Sequence, residues 1–444
     1  MLTSYKLKMY HKRLIDTYLI GWKDDPHKKP LLLRGARQVG KSSAVRQLAQ
    51  YFESFVEVNF EESPKVKSLF EGELTPLGII ENLSIFYNTP IVPGKTLLFL
   101  DEVQSCPSAI SALRFFYEKM PDLHVIAAGS LLEFALQELP SYGVGRIRSI
   151  FVYPFSFDEY LTASGEAMLL EGKKKASVEN PLSAIQHQKL LELLKIFMVI
   201  GGMPEAVSTY IRSGSVLEAQ RVLDDLYIAL RTDFAKYKDR VSTSRLTEVF
   251  ESVVQQTGGK FVYTKASPNS SHYFVKEAVE MLIMAGLVVP VTHTAANGLP
   301  LGAESDSKKR KMMVFDTGIF QRILGLNLSD FLFDESSAVV NKGSIAEMFF
   351  GLEYQKYGSP FTKDSLYYWH REAAGSNAEV DYIIQQEADI VPVEIKSSQK
   401  GGMQSLRQFL KIKTGGYGYR VSLENFSTYE DIKVMPLYAI SNLC

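Results

Sequence analysis

At 444 residues, with 46% apolar and 22% charged side chains, the chain has the composition of a folded protein of several domains, which excludes a disordered or fibrous one. Forty-nine Lys plus Arg against 50 Asp plus Glu leave a formal charge of −1, so any contact with nucleic acid or anionic lipid has to use a local patch. Two cysteines, Cys106 and Cys444, exclude a disulfide framework or a cysteine-built zinc site and fit a reducing compartment, the cytoplasm being expected.

In chain order, the N-terminal MLTSYKLKMYHKRLIDTYLIGW has apolar residues at helical spacing and predicts an amphipathic helix. The apolar PLLLRG then leads into KSSAVRQLAQYF, giving strand, loop and helix. FVEVNF, KTLLFLDE and LHVIAAGS follow as strands, the last two being continuous apolar runs of the kind buried on both faces of a parallel sheet. A parallel α/β domain over residues 1–160 is expected. From 161 to 239 the pattern is long and amphipathic, with HQKLLELLKIFMVIG and VLEAQRVLDDLYIALRTDF broken by GGMPE, and predicts a helical lid. Residues 240–305 read helix, Gly-Gly break, serine-rich turn, helix and LVVPV, an order that suits a winged helix. Residues 310–444 read as a second α/β domain. The most apolar stretch, Leu190 to Met203, is interrupted by Glu192 and Lys195 and is shorter than the roughly 20 residues of a membrane span.

Gly35-Ala36-Arg37-Gln38-Val39-Gly40-Lys41-Ser42 satisfies G-x4-G-K-[S/T] between a strand and a helix, the context in which the motif has physical meaning. Gly35 and Gly40 let the backbone wrap phosphate oxygens, the helix N-terminus with Ser43 offers free N–H groups, Lys41 meets the outer phosphates, and Ser42 is a Mg2+ ligand. ATP and Mg2+ are the expected cofactors. Leu97 to Glu102 is an apolar strand ending in two carboxylates. Asp101 is assigned to the Mg2+ ion and Glu102, pointing the other way along the strand, to the attacking water. Ser130, closing the strand that begins at His124, reads equally as a contact to the γ-phosphate or lytic water and as a helix N-cap. Arg146 and Arg148 compete as the arginine supplied to the transferring phosphoryl group, in cis or from a neighbouring subunit, or as members of structural salt bridges.

RGARQVGKS, LLFLDEVQ, AAGS and GRIRSIFVYPFSFDEYL, with GGMPEAV, EVDYII and VEIKSS further on, resemble a large bacterial and archaeal family of predicted AAA-type ATPases whose C-terminal half is a domain of unknown function. The resemblance covers nearly the whole chain. It implies an AAA-type ATPase and favours Arg146 over Arg148. The chain departs from it at Arg37-Gln38, where a pair of arginines is common.

Asp381 in AEVDYII and Glu394-Ile395-Lys396 in VPVEIKSS form D-x12-E-x-K on two strands spaced as a hairpin, with Glu394 and Lys396 on one face. Glu394 and Asp381, in apolar flanks, can bind a divalent metal while the Lys396 ammonium orients or activates water, with Glu347 from the preceding helix adding a fourth polar group, or the charges can form a mutual ion-pair cluster. Together they resemble the PD-(D/E)xK nuclease core, although Val380 replaces its proline, and imply a restriction-endonuclease-like domain. Lys308-Lys309-Arg310-Lys311 is a compact basic run beside the expected wing, able to contact DNA or RNA phosphates or to be a solvated loop. His370 reads as a packed or surface residue, and Cys106 as a small buried one.

Two functions follow. The leading one couples Mg-ATP to action on nucleic acid through a nuclease-like domain; the alternative is a nucleotide-dependent signalling switch whose C-terminal domain binds a partner protein. A homo-oligomer is compatible with both, a membrane partner is not expected, and a small-molecule kinase would not need the C-terminal domains.

Overall fold

The computed structural model describes residues 10–72, 75–130, 132–139, 145–237, 241–267, 270–325, 342–372, 378–397, 402–413 and 416–444. The chain divides into two compact units, one of residues 1–154 with 359–363, the other of 155–358 with 364–444. Among the described residues no helix is long and apolar enough to cross a membrane.

The first unit opens with helix α1 (Leu14–Asp24). This is shorter than the helix expected from the N-terminal pattern. Residues 10–13 are not helical, and residues 1–9 of that pattern lie outside the described set. Strands β1 (Leu31–Arg34), β2 (Ser54–Asn59), β3 (Thr96–Asp101), β4 (His124–Ala128) and β5 (Arg148–Phe151) form one sheet in the order β2-β3-β4-β1-β5, every pair parallel. The residues of β3 and β4 are all buried, because helices cover both faces and every side chain of a pleated strand must meet apolar partners. On one face Leu32, Leu98, Leu100 and Val125 pack with Ile80 and Leu83 of α3 (Pro76–Phe86) and with Ile110 and Leu113 of α4 (Pro107–Lys119). Helix α2 (Lys41–Leu48) follows β1, and α5 (Leu132–Glu138) follows β4. The chain leaves β1 toward β2 on one side and reaches β5 on the other, so the carboxyl end of β1 is a switch point where an open parallel sheet presents its ligand crevice.

The second unit begins with helices α6 (Phe157–Ala163), α7 (Ala167–Lys175), α8 (Ala184–Ile200), α9 (Pro204–Ser213) and α10 (Val216–Asp233). After α11 (Thr243–Gln255), α12 (Tyr263–Ala266) and α13 (His272–Met284), strands β6 (Val288–Thr294) and β7 (Ser305–Val314) form an antiparallel hairpin. Helix α14 (Thr317–Ile323) and α15 (Lys342–Tyr357) lead to β8 (Leu366–His370), β9 (Glu379–Gln386) and β10 (Asp389–Ile395). Then come α16 (Gln404–Ile412), β11 (Gly418–Ser422), β12 (Ser427–Tyr429) and β13 (Ile432–Pro436). The eight strands make one mixed sheet in the order β12-β13-β11-β10-β9-β8-β6-β7.

The two helices read for a winged helix are present as α11 and α13, with the short α12, which was not expected, between them, and the hairpin that follows is the edge of this larger sheet rather than a free wing. The division drawn between 305 and 310 falls inside β7. The basic run is therefore a strand, and its charges alternate between faces. Lys309 pairs with Glu372 and, at 3.5 Å, with Asp306; Arg310 lies 2.7 Å from Glu280; Lys311 is buried among carboxylates. Three of the four cations expected on a nucleic-acid surface are already matched within the fold.

Candidate functional site

The phosphate loop hangs between β1 and α2. Gly35 has φ +136°, and a Cβ there would stand 2.2 Å from the Val152 carbonyl oxygen, so both the dihedral and the close approach demand glycine. Gly40, at φ +98°, turns the chain into α2 with Lys41 as its first residue. Ala36 and Val39 are buried and anchor the loop, Arg37 is half-buried, and Gln38 and Ser43 are exposed. Gln38 also adopts a left-handed backbone, φ +62°. From behind, Arg13 donates to the Val39 carbonyl at 3.1 Å and to the Tyr153 carbonyl at 2.8 Å, a support that the helical reading of the N-terminus did not reveal.

Lys41 is buried and donates from Nζ to the carbonyls of Gly35 and Ala36 at 2.9 and 2.7 Å. Burial lowers the ammonium to about 8, against the opposing pull of Glu102 and Asp101. Ser42 Oγ donates to Asp101 Oδ2 at 2.9 Å, and the Glu102 N–H donates to Asp101 Oδ1 at 3.0 Å. Even so, burial pushes the Asp101 carboxyl up to about 6. A hydroxyl and a carboxylate held together at the end of β1–α2 and β3 are hard oxygen donors and fit Mg2+.

Glu102 does not continue the strand. β3 ends at Asp101, and Glu102 sits at φ +50°, ψ +43°, a left-handed conformation that a non-glycine residue adopts at a cost. It is this turn, not strand alternation, that separates the two carboxylates. Gln104 Nε2 donates to Glu102 Oε2 at 2.6 Å, and Ser130 Oγ reaches the same oxygen at 3.4 Å. Ser130 thus contacts the Glu102 carboxylate directly, and Gln104, which sequence reasoning missed, holds it more closely. Arg146 forms an ion pair with Glu118 of α4, both side chains well exposed. Arg148 lies 3.7 Å from Asp25 with its guanidinium 5.6 Å from the Phe361 ring centre.

In the second unit, β9 and β10 pair antiparallel with Tyr382 opposite Val393, so continuation of the register sets Asp381 opposite Glu394. Asp381 Oδ2 accepts the Ile395 N–H at 2.7 Å, and Lys396 Nζ lies 2.7 Å from Glu394 Oε1. Glu394 Oε2 is buried with no hydrogen-bond partner among the described residues. Glu347 faces the same group from α15. The structure therefore gathers Glu347, Asp381, Glu394 and Lys396, and adds two residues not expected. Lys311 Nζ, its side chain passing the Tyr368 ring 5.2 Å from its centre, lies 2.7 Å from Glu347 Oε1 and 2.6 Å from Glu379 Oε1.

Burial raises the carboxyls of Glu347, Asp381 and Glu394, the last also pushed by Asp381, while Lys311 and Lys396 oppose the rise. Burial would lower the Lys311 ammonium, but Glu347, Asp381 and Glu379 outweigh it and hold it above its ordinary value. The donor set fits a divalent cation at Asp381 and Glu394, where an acceptor is left over, while Lys311 already serves Glu347 and Glu379.

Residues 27–161 match the family model of an AAA domain, residues 191–330 that of a domain of unknown function (DUF8612), and residues 342–440 that of another (DUF4143). No curated protein matches the chain. Among solved structures, the Walker-type ATPase of Pyrococcus abyssi is similar at 15% identity and TM-score 0.44 over 71% of this chain and 96% of its own. The ORC1 protein of Aeropyrum pernix, solved with DNA, matches at 13% and 0.32 over 73% and 94%. DnaA of Aquifex aeolicus, bound to AMPPCP, matches at 11% and 0.31 over 63% and 92%. Scores this low carry no argument about chemistry. The family match and the parallel sheet with its phosphate loop agree that residues 27–161 have the fold of a P-loop AAA-type ATPase domain.

Proposed function

We propose that the chain binds and hydrolyses Mg-ATP and uses the cycle to govern a nuclease-like C-terminal site acting on DNA or RNA. The observation that carries the first half is the grouping of Lys41, Ser42, Asp101 and Glu102, in which Ser42 and Asp101 stand 2.9 Å apart beside a buried lysine and a carboxylate held in a left-handed turn. Lys41 and the N–H groups at the start of α2 bind the outer phosphates. Ser42 and Asp101 would hold Mg2+, which supplies charge neutralisation for the phosphates when bound. Glu102 polarises the attacking water, with Gln104 and Ser130 keeping its carboxylate in place. Arg146 completes the site of a neighbouring subunit after exchanging its Glu118 partner for a phosphoryl group. The test is a pair of variants. Lys41→Ala should lose nucleotide binding, whereas Glu102→Gln should bind ATP and turn it over slowly; wild-type turnover by Glu102→Gln overturns the assignment.

For the C-terminal unit, the order and clustering of Glu347, Asp381, Glu394 and Lys396 support metal-dependent phosphodiester cleavage, with Asp381 and Glu394 as metal ligands and Lys396 orienting water. A second reading, a nucleotide-dependent switch whose C-terminal unit binds a partner protein, is favoured by Lys311, which supplies a built-in cation to Glu347 and Glu379. Cleavage of single- and double-stranded DNA and RNA with Mg2+ or Mn2+, compared between wild type and Asp381→Asn, separates them. Activity lost in the variant supports the nuclease, and no activity in either supports the switch.

A further inference from the structure

We propose that His293, His370 and Glu372 form a transition-metal site, suited to Zn2+, on the sheet of the second unit. One ligand atom from each of the three residues lies within 4.8 Å of the others. His293 stands on β6 where the register against β7 shifts between Thr292 and His293, an irregularity that re-aims a side chain. It lies opposite Tyr368 on β8, which places it beside the last residue of that strand, His370. The two imidazole rings are 4.5 Å apart and inclined by 70°.

The hydrogen bonding of His293 decides which nitrogen it offers. His293 Nε2 contacts the His370 carbonyl oxygen at 3.4 Å, and because a carbonyl only accepts, Nε2 carries the proton. Nδ1 is then a bare lone pair. It is buried and has no partner among the described residues, and the same holds for His370 Nδ1. An N–H to carbonyl bond at the far nitrogen is the arrangement that fixes tautomer and orientation in metal-bound histidines.

Glu372, exposed and next but one after His370, supplies the carboxylate. Its present partner is Lys309, which also lies 3.5 Å from Asp306, the residue facing His293 across β6 and β7. A divalent ion takes over the neutralising role of that flexible, exposed ammonium. Two imidazoles and one carboxylate make a borderline set that selects Zn2+ over Mg2+, and four-coordination leaves one position for water. The bound ion would tie the end of β8 to the β6–β7 edge.

The test uses the full chain without an affinity tag, stripped with chelator and titrated with Zn2+ against a chromophoric competitor, with Co2+ as the spectroscopic probe. One high-affinity Zn2+ per chain is expected, accompanied by a rise in melting temperature and the visible bands of a nitrogen–oxygen Co2+ site. Removing one ligand by His370→Ala should weaken binding by at least about tenfold, in line with the sensitivity of such sites to their surroundings. Glu372→Gln, at an exposed position that leaves folding intact, should weaken it as well. Asp381→Asn and Asp101→Asn should keep the site. No Zn2+ or Co2+ bound by the wild type at hundred-micromolar concentration overturns the proposal, as does unchanged affinity in Glu372→Gln together with His293→Asn, or loss of the site in Asp381→Asn alone.

Discussion

Lys311 Nζ lies 2.7 Å from Glu347 Oε1, the lysine side chain 3% exposed and the glutamate 12%, so a strand read as a basic surface delivers an ammonium into the acid cluster. Breaking a buried pair by removing one partner costs about 3–5 kcal/mol because the other charge is left uncompensated. Lys311→Met should therefore be strongly destabilising at neutral pH, measured by urea unfolding of the full chain.

The same cluster sets a pH dependence. Burial holds Glu347, Asp381 and Glu394 above their unfolded values, so the folded state binds protons more tightly and their contribution to stability improves as pH falls from neutral toward the ordinary carboxylate range. Lys311, held above its ordinary value, changes nothing in that window. The deficit of Lys311→Met should shrink between pH 7.5 and 5.5, and Mn2+ should reduce it at pH 7.5. A deficit independent of both would refute the charge-compensation account.

Asp101 gives a prediction of opposite sign for stability and function. Its carboxyl, 5% exposed and pushed up to about 6, makes the folded state less stable as pH rises through the interval from its unfolded value to about 6. At roughly 1.4 kcal/mol per unit this is a cost of about 2–3 kcal/mol at neutral pH. Asp101→Asn, which keeps an acceptor for Ser42, should melt higher than wild type at pH 7.5 without nucleotide, with the gain vanishing near pH 4. It should also lose the Mg2+ dependence of ATP binding.

Arg13 supports the phosphate loop without standing in it. Arg13→Met leaves the Val39 and Tyr153 carbonyls short of a donor, at about 1–3 kcal/mol each. A distorted loop binds phosphate poorly, so KM for ATP should rise about tenfold with kcat changed far less. Equal losses in kcat and kcat/KM would place Arg13 in the reaction itself.

Arg146 distinguishes a subunit-bridging site from a self-contained one. Arg146→Ala should lower turnover by about a thousandfold, as loss of an arginine finger does, and wild-type specific activity should climb with protein concentration. Glu118→Gln, which frees the arginine, should preserve turnover. Unchanged turnover in Arg146→Ala with a lower melting temperature would make the Glu118 pair structural.

The phosphate loop and the end of β3 were legible because local backbone geometry dictates residue type: nothing but glycine tolerates φ +136° against the Val152 carbonyl. Asp381, Glu394 and Lys396 were legible because a hairpin keeps the period of two. The partners in β7 were not. Lys311 meets Glu379 over the ring of Tyr368, a contact between distant parts of the chain that no local pattern encodes, and a run of four cations does not announce which of them face inward. His293 and His370 stand 77 residues apart and meet only through the pairing of β6 with β8. The N-terminal pattern concealed Arg13, because reading it as part of a helix removed the extended backbone from which it reaches Val39.

The left-handed backbone of Glu102 sets stability and chemistry against each other at a single position. An L-residue there forgoes roughly 1–2 kcal/mol that glycine would recover. A library passed only through a heat challenge would thus accumulate Glu102→Gly and steadily lose the carboxylate, while one passed through an ATP-turnover screen would keep it, so the outcome of two such selections would expose which pressure maintains the residue.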